Sequence, residues 1–410
     1  MLRPHCCLMT MDNSLPHYQW LASNDGATVL STAAAMRADG LSDLKIGESL
    51  RTHLDSERAA MVLTQLDLRE RARAKFTRAS DMLFTRPGLE QATSEAIARY
   101  RSGRFSGYGH IVDLCCGIGG DLIALAETGA DVTAVDRDPV HLFLAEHNVR
   151  VYHPDAKITQ LLMNVEDAPI TGAEAVFIDP ARREGSGRRT GYQSEPSVEW
   201  SVALAEHVGA VGIKTAPGIP HTFLPEDWEM ELIALGSELK EAVLWSPGIA
   251  GEFSRYQGSY PYRATVITEG VVHSIHGQHI DVLTTVTPEV GQWLHDVNPA
   301  VTNAGLVREL AVEMDAHLID PEIGFLVSDY PSSTPLATSW KILDVLPWHE
   351  KQIKRSLANL GIGPIDIRRR GLPGDVPSIT KRLRGKGDRR AIIAMTRTDN
   401  IPTAIICSLE

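Results

Sequence analysis

Residues 109–136, GHIVDLCCGIGGDLIALAETGADVTAVD, constrain the fold more than any other stretch of this 410-residue chain. Ile111, Val112, Asp113 and Leu114 make a short apolar run interrupted by one acid, the pattern of a buried strand. Gly117, Gly119 and Gly120 follow as a turn, then an alanine- and leucine-rich helix, then a second strand ending in Asp136. Glycines at such a turn let a ligand approach the backbone, and the helix start offers N–H groups that lack intrahelical partners. The unit predicts an open α/β sheet that binds its ligand beyond the carboxyl ends of the strands.

The two acids select among ligands. A dinucleotide fingerprint would need its third glycine where Leu122 stands, and Asp113 would repel a pyrophosphate. Asp113 suits a cationic or amino-acid-bearing ligand, while Asp136 is placed to accept hydrogen bonds from ribose hydroxyls. S-adenosylmethionine meets both demands. The run D-L-C-C-G-I-G-G-D followed by V-T-A-V-D resembles motif I and the second-strand acid of class I S-adenosylmethionine-dependent methyltransferases. That resemblance implies that Asp113, Cys115, Gly117 and Gly119 face the methionine end of the cofactor, that Asp136 holds the ribose, and that Asn164 or Asp167 meets the adenine. A glycine turn of some other α/β enzyme, or a site that has lost its ligand, are the competing readings.

A fourth strand, Ala175 to Ile178, closes in Asp179-Pro180-Ala181-Arg182-Arg183. A strand ending in Asp-Pro resembles motif IV of nucleic-acid methyltransferases, D/N-P-P plus an aromatic residue, in which the first side chain accepts a hydrogen from the target amine. Ala181 and Arg182 replace the second proline and the aromatic ring, so base stacking gives way to guanidinium stacking or phosphate contact. The resemblance implies catalytic roles for Asp179, Pro180 and Arg182. D-P-A-R-R also resembles the D-P-P-R of RNA uracil-5-methyltransferases, which need a later nucleophilic cysteine. Cys407 alone follows, near the chain end, which argues against that chemistry. Arg183, Arg188 and Arg189, among glycines, predict a cationic loop that contacts substrate phosphate. The fifth strand, AVGIKTAPGI, ends near Lys214.

Upstream, Phe84, Thr85, Glu90, Gln91 and Thr93 resemble the segment that covers the cofactor in trimethylguanosine synthase-like RNA methyltransferases. Core packing for Phe84 is the competing reading. Before it, residues 12–77 predict a helical domain, with Ser56 as a cap and Ala59, Val62, Leu63 and Leu66 as its apolar stripe.

Length alone suggests two or three domains. The methyltransferase domain is predicted at 78–270, with LKEAVLWSPG and YRATVITEG as its closing hairpin around Arg255 and Tyr256. Residues 271–337 read as a linking region with one helix after Asn298-Pro299. Residues 338–410 read as a small α/β domain with a hairpin about Asp399-Asn400. Net charge is −12, yet residues 351–397 hold 13 Lys and Arg against three acids, a net +10 that leaves −22 to the remainder. Such a block predicts a polyanion site, with Arg368, Arg369, Arg370, Lys381 and Arg382 as substrate contacts. The layout, together with L-E-Q-A-T-S-E, resembles a bacterial class I methyltransferase family that carries a THUMP-like C-terminal domain. True THUMP domains bind RNA, so the resemblance implies an RNA substrate and a base nitrogen as methyl acceptor.

The expected fold is thus a Rossmann-like methyltransferase sheet with an N-terminal helical domain and a C-terminal THUMP-like domain. A small-molecule methyltransferase and a noncatalytic RNA-binding protein with a vestigial cofactor site are the alternatives. Five cysteines give neither a zinc spacing nor a disulfide framework, so no metal is expected. Without a long apolar run or a signal peptide's apolar segment, no membrane partner and a cytoplasmic location are expected, with residues 1–11 unstructured.

Overall fold

A computed structural model describes residues 14–182, 194–249, 262–277 and 286–409. The chain divides into two compact units, residues 1–214 with 245–251, and residues 215–244 with 252–410. The predicted disorder of residues 1–11, the loop arginines Arg183, Arg188 and Arg189, and the Arg255–Tyr256 loop lie outside the described residues.

The first unit opens with four helices: α1 Leu15–Ala22, α2 Asn24–Ala38, α3 Asp43–Leu50 and α4 Ser56–Ala72. The cap of α4 is Asp55 rather than Ser56, because the Asp55 carboxylate accepts from the Arg58 N–H. Ala59, Val62 and Leu66 of α4 are buried, as are Gln65 and Leu68. Two short helices follow, α5 Arg86–Gln91 and α6 Glu95–Ser102.

The sheet then begins. Strands β1 His110–Leu114, β2 Asp131–Asp136, β3 Ile158–Leu162 and β4 Ala175–Ile178 lead, through a short antiparallel pair β5 Ala181–Arg182 and β6 Ser194–Glu195, to β7 Ala210–Thr215. Helices α7 Gly120–Glu127, α8 Pro139–Tyr152 and α9 Val198–Ala203 lie between them in sequence. The large strands are parallel in the order β7-β4-β1-β2-β3. The chain proceeds outward from β1 to β3 and then returns to the other side of β1. That reversal leaves a crevice between the carboxyl ends of β1 and β4, where open α/β sheets bind ligands. Residues 245–249 also belong here: the Ser246 N–H donates to the Val211 carbonyl at 2.9 Å. Gly212 permits this, since a Cβ there would lie 2.5 Å from the buried Trp245 ring.

The second unit departs from the sequence expectation in three places. EMELIAL forms a strand, β8 Glu229–Leu235, beside which lies β9 Glu238–Trp245. YRATVITEG forms β10 Tyr262–Thr268, which runs parallel to β8 and pairs antiparallel with β11 Val271–Gly277. The expected hairpin of β9 with β10 is therefore absent, because β8 takes the position beside β10. The expected single helix after Asn298 is two, α10 Pro299–Asn303 and α11 Val307–Glu313, separated where Gly305 adopts φ 74°.

Third, residues 271–337 contribute strands as well as a connection. β12 Trp293–Val297, β13 His317–Leu318 and β14 Phe325–Ser328 join β15 Ala337–Pro347, β16 Ile362–Arg369, β17 Arg389–Thr398 and β18 Ile401–Ser408 in one sheet, ordered β13-β14-β12-β15-β18-β17-β16. Alternation along the strands feeds two cores. Ile393, Met395, Ala404 and Ile406 face Ile353 and Leu357 of α12 Glu350–Asn359 and Ile379 and Leu383 of α13 Val376–Leu383. Ile392, Ala394, Ile405 and Cys407 pack with Leu294, Phe325 and Val327. The β17–β18 hairpin turns at Asp399 and Asn400 with φ 49° and 61°, the left-handed pair a tight hairpin requires.

Candidate active site

The site forms where the glycine turn meets the end of β4. Cys115, Gly117 and Gly119 all have positive φ, at 63°, 53° and 88°. A Cβ on Gly119 would come within 2.9 Å of the Ala145 backbone in α8, so glycine is required there for helix packing. A Cβ on Gly117 would meet open space, which leaves the turn's backbone approachable. Asp136 secures the turn from the neighbouring strand: its carboxylate accepts from the Gly117 and Asp138 N–H groups, each at 2.9 Å.

Asp113 is 1% exposed, and neither of its carboxylate oxygens has a hydrogen-bond partner among the described residues. Burial pushes this carboxyl well above the ordinary carboxylate range, and the charges of Asp121, Asp179 and Asp136 push the same way against Arg101. A cation placed against it would supply the missing partner. Burial likewise pushes the Cys115 thiol up, the charges of Asp136, Asp179 and Asp113 add to that, and Arg137 opposes it without offsetting it.

Residues 84–93 form a strap over the turn. Phe84 is fully buried, 6.0 Å from the Phe76 ring, and its backbone is held by the Gln65 amide. Thr85 caps α5 by accepting from the Gly88 N–H at 2.9 Å. The strap lies so close that a Cβ on Gly88 would meet the Ile118 side chain at 2.4 Å, and one on Gly120 the Thr93 backbone at 3.2 Å. Thr93 donates its hydroxyl to Asp121 at 3.0 Å and accepts from Lys214 at 2.9 Å and Arg101 at 3.2 Å. Arg101, itself buried, also pairs with Asp121 in the first turn of α7.

Asp179 follows β4 directly, its N–H bonded to the Leu114 carbonyl of β1 at 3.2 Å. Its carboxylate meets the Lys214 ammonium at 2.6 Å, with side-chain exposures of 30% and 15%. Burial pushes the Asp179 carboxyl up, and Lys214 opposes that shift. Pro180 is buried beside it. The Arg182 backbone lies in β5, while its side chain is outside the described residues. Asn164 and Asp167 are exposed in the turn after β3, where the Met163 N–H meets the Asp136 carbonyl at 3.2 Å. The crevice thus gathers Asp113, Cys115, Gly117, Gly119, Asp136 and Asp179 at the ends of adjacent strands. Sequence reading left Arg101 and Asp121 without a role and gave Lys214 none beyond its strand. Asp121 carried a signal, as the acid closing G-I-G-G-D, whereas Arg101 carried none.

In the second unit, Arg370 is half-buried and pairs with Asp296, Arg382 pairs with Glu350, and Arg369 donates to the Gly374 carbonyl. Arg368 and Lys381 are exposed and make no ion pair among the described residues. No group of His, Cys, Asp or Glu among the described residues is arranged to hold a metal ion, and no described helix is long and apolar enough to cross a membrane.

Three family profiles match the chain: RNA cap guanine-N2 methyltransferase over residues 108–189, THUMP domain-like over 337–409, and a domain of unknown function over 14–72. A crystal structure of a provisionally assigned methyltransferase from Porphyromonas gingivalis W83 superposes with TM-score 0.71 over 94% of this chain and 99% of the other. At 18% identity that likeness bears on the fold alone. Uncharacterised S-adenosylmethionine-dependent methyltransferases of Mycobacterium tuberculosis strains CDC 1551 and H37Rv are 31% identical over 351 residues, covering 83% of this chain and 93% of theirs. With that identity along most of both chains, and with a glycine turn and an orphaned acid suited to the same cofactor, the chain belongs to the S-adenosylmethionine-dependent methyltransferases.

Proposed function

We propose that the protein methylates a base nitrogen in RNA. The observation that carries this reading is the carboxylate of Asp179, followed by Pro180, at the end of the strand beside the glycine turn. The RNA cap guanine-N2 methyltransferase profile spans both features, and the THUMP domain-like profile adds a second RNA-directed likeness. When bound, S-adenosylmethionine supplies a methyl group already activated on a sulfonium. The protein's task is then chiefly to aim a nucleophile in line with it, and orientation alone contributes much of the acceleration.

Each residue has a part in that task. Asp113 pairs with the cationic amino-acid end of the cofactor, the turn at Cys115, Gly117 and Gly119 admits it, and Asp136 accepts from the ribose. Asn164 and Asp167, exposed at the neighbouring strand end, border the adenine, and Thr85 with the strap closes over the turn. Phe84 acts through packing beneath the strap. Asp179 accepts an N–H of the acceptor amine and so keeps the nitrogen lone pair directed at the methyl group; the surplus proton leaves to water. Pro180 shapes the backbone beside it, and Arg182, Arg183, Arg188 and Arg189 contact phosphate.

Asp179→Ala tests the reading. Calorimetry should give unchanged S-adenosylmethionine affinity while methyl transfer to RNA is lost. Undiminished turnover in that variant rejects the role of Asp179, and transfer to small metabolites in place of RNA rejects the substrate class.

A further inference from the structure

The Lys214 ammonium lies 2.6 Å from Asp179 and 2.9 Å from the Thr93 hydroxyl, so one cation touches both the end of β4 and the strap over the glycine turn. Thr93 has no hydrogen-bonding capacity left: its single proton goes to Asp121, and its two lone pairs receive Lys214 and Arg101. Asp121 sits in the first turn of α7, immediately after the glycines. Strap, donor turn and acceptor strand therefore converge on a single knot that is buried at Thr93 and Arg101 and opens at Asp179.

Resting on the reading of Asp179 given above, we propose that Lys214 is a positioning residue for methyl transfer, holding Asp179 as an ionised hydrogen-bond acceptor and, through Thr93, holding the strap in register with it. The charges around Asp179 make such a cation necessary. Among the described residues it faces Lys214 from β7, Asp113 from β1, Asp121 from α7 and Arg101 from α6, with the Cys115 thiol beside the turn. Arg101 is already committed to Asp121 and to the Phe177 ring, 4.6 Å away. Among the described residues Lys214 is thus the cation in direct contact with Asp179, and without it the Asp179 carboxylate faces Asp121 across a partly buried crevice with no cation of its own. Asp179 would then take up a proton more readily, because burial and the neighbouring Asp121 charge both disfavour its ionised form once Lys214 no longer opposes them. A protonated Asp179 keeps one acceptor oxygen but turns the other into a donor and loses the charge-assisted bond, so it holds an amine N–H less firmly than the carboxylate does.

The test compares wild type, Lys214→Met, Lys214→Arg and Asp179→Asn. Single-turnover transfer from labelled S-adenosylmethionine to total RNA of cells deleted for the gene is measured from pH 5.5 to 8.5. Lys214→Met should shift the acidic limb upward by at least about one pH unit, so that the rate at a fixed pH on that limb falls about tenfold or more. Lys214→Arg, which keeps the charge, should leave the limb in place. Calorimetry should give cofactor affinities within about threefold of wild type in both variants, since neither touches the Asp113 side of the turn. In the absence of RNA, the 13C-carboxyl resonance of Asp179, identified by its loss in Asp179→Asn, should titrate higher in Lys214→Met than in wild type. Amide exchange across residues 86–93 should quicken in the same variant.

A Lys214→Met profile that superposes on wild type, with an unmoved Asp179 resonance, overturns the inference. If Asp179→Asn keeps full turnover, a neutral acceptor suffices and the inference about Lys214 is overturned, whereas the reading of Asp179 as acceptor fails only if Asp179→Ala keeps turnover as well. If wild type itself transfers no label to RNA, the substrate reading fails, and the carboxyl titration alone decides the place of Lys214.

Discussion

Asp113 is the residue on which the proposed cofactor site depends most. A buried carboxyl without a partner is costly to ionise, and its proton is retained in the free protein at pH values where an exposed acid has lost it. The sign of the linkage follows. At pH below the ordinary carboxylate range, folded and unfolded states are both protonated and Asp113 adds no pH dependence. As pH rises above that range the unfolded chain releases its proton first, so the free protein loses stability until the folded group also ionises. Asp113→Asn is therefore expected to stabilise the cofactor-free protein at pH 8 relative to wild type, with the gain vanishing below about pH 4. The same substitution should weaken S-adenosylmethionine binding at least about tenfold, as expected for the loss of one charge-assisted contact. Calorimetry in buffers of different ionisation enthalpy should show wild type releasing protons on binding the cofactor and Asp113→Asn releasing fewer. Equal proton release by the two proteins would contradict the assignment.

At the scale of elements, the parts legible in the sequence were those with local periodicity. The strand, turn, helix and acid from Ile111 to Asp136 needed only neighbours a few residues apart, and the Asp399-Asn400 turn announced its own hairpin. β8 was missed because EMELIAL mixes Glu229 and Glu231, both buried, with apolar residues, and a buried acid reads as a surface one until its partner is known. Those partners are nonlocal: Arg263 pairs with Glu229, and Thr265 donates to Glu231, both from β10. Lys214 and Asp179 are separated by 35 residues, so no spacing rule joins them.

β12 illustrates the same limit and gives a measurable consequence. His295 on this strand is fully buried between the Ser328 and Ser339 hydroxyls, each 2.8 Å away, and burial pushes its pKa down to about 4. Because the folded pKa lies below the unfolded one, the unfolded chain takes up the proton first as pH falls. The stability due to neutral His295 is then present above about pH 6.5 and is lost between there and pH 4, a change on the order of 3 kcal/mol. Urea unfolding of wild type and His295→Asn across that range should show a shallower acid loss in the variant. Parallel pH profiles would place the imidazole outside the acid response.

For the whole molecule, charge is divided as unevenly as the sequence suggests, but two of the five expected contacts, Arg370 and Arg382, are held in ion pairs of the fold, as are Arg390 and Arg397 of the same basic block. Arg370, Arg382, Arg390 and Arg397 pair with Asp296, Glu350, Asp366 and Asp320 within the second unit. The count of basic residues did not distinguish these from Arg368, Lys381, Arg384 and Lys386, which are exposed and make no ion pair among the described residues. Pairing depends on acids as distant as Asp296, and on a sheet that begins before residue 338. If the exposed set binds RNA, replacing Lys381, Arg384 and Lys386 by Glu should lower affinity for total RNA at least about tenfold and flatten the dependence on salt. Cofactor affinity should be unchanged, because that site is built from residues of the other unit. An unaltered salt slope would assign these residues to a solvated surface.

The joint claim, a methyl-donor turn and an Asp179 acceptor site acting together on RNA, is tested most directly by following the methyl group. Wild-type protein and Asp179→Ala are each incubated with methyl-labelled S-adenosylmethionine and total RNA from cells deleted for the gene, and the digested nucleosides are separated. Label in a single N-methylated nucleoside, absent with Asp179→Ala although that variant binds the cofactor normally, is the expected result. Label confined to small molecules, no transfer by wild type, or equal transfer by the variant would contradict it.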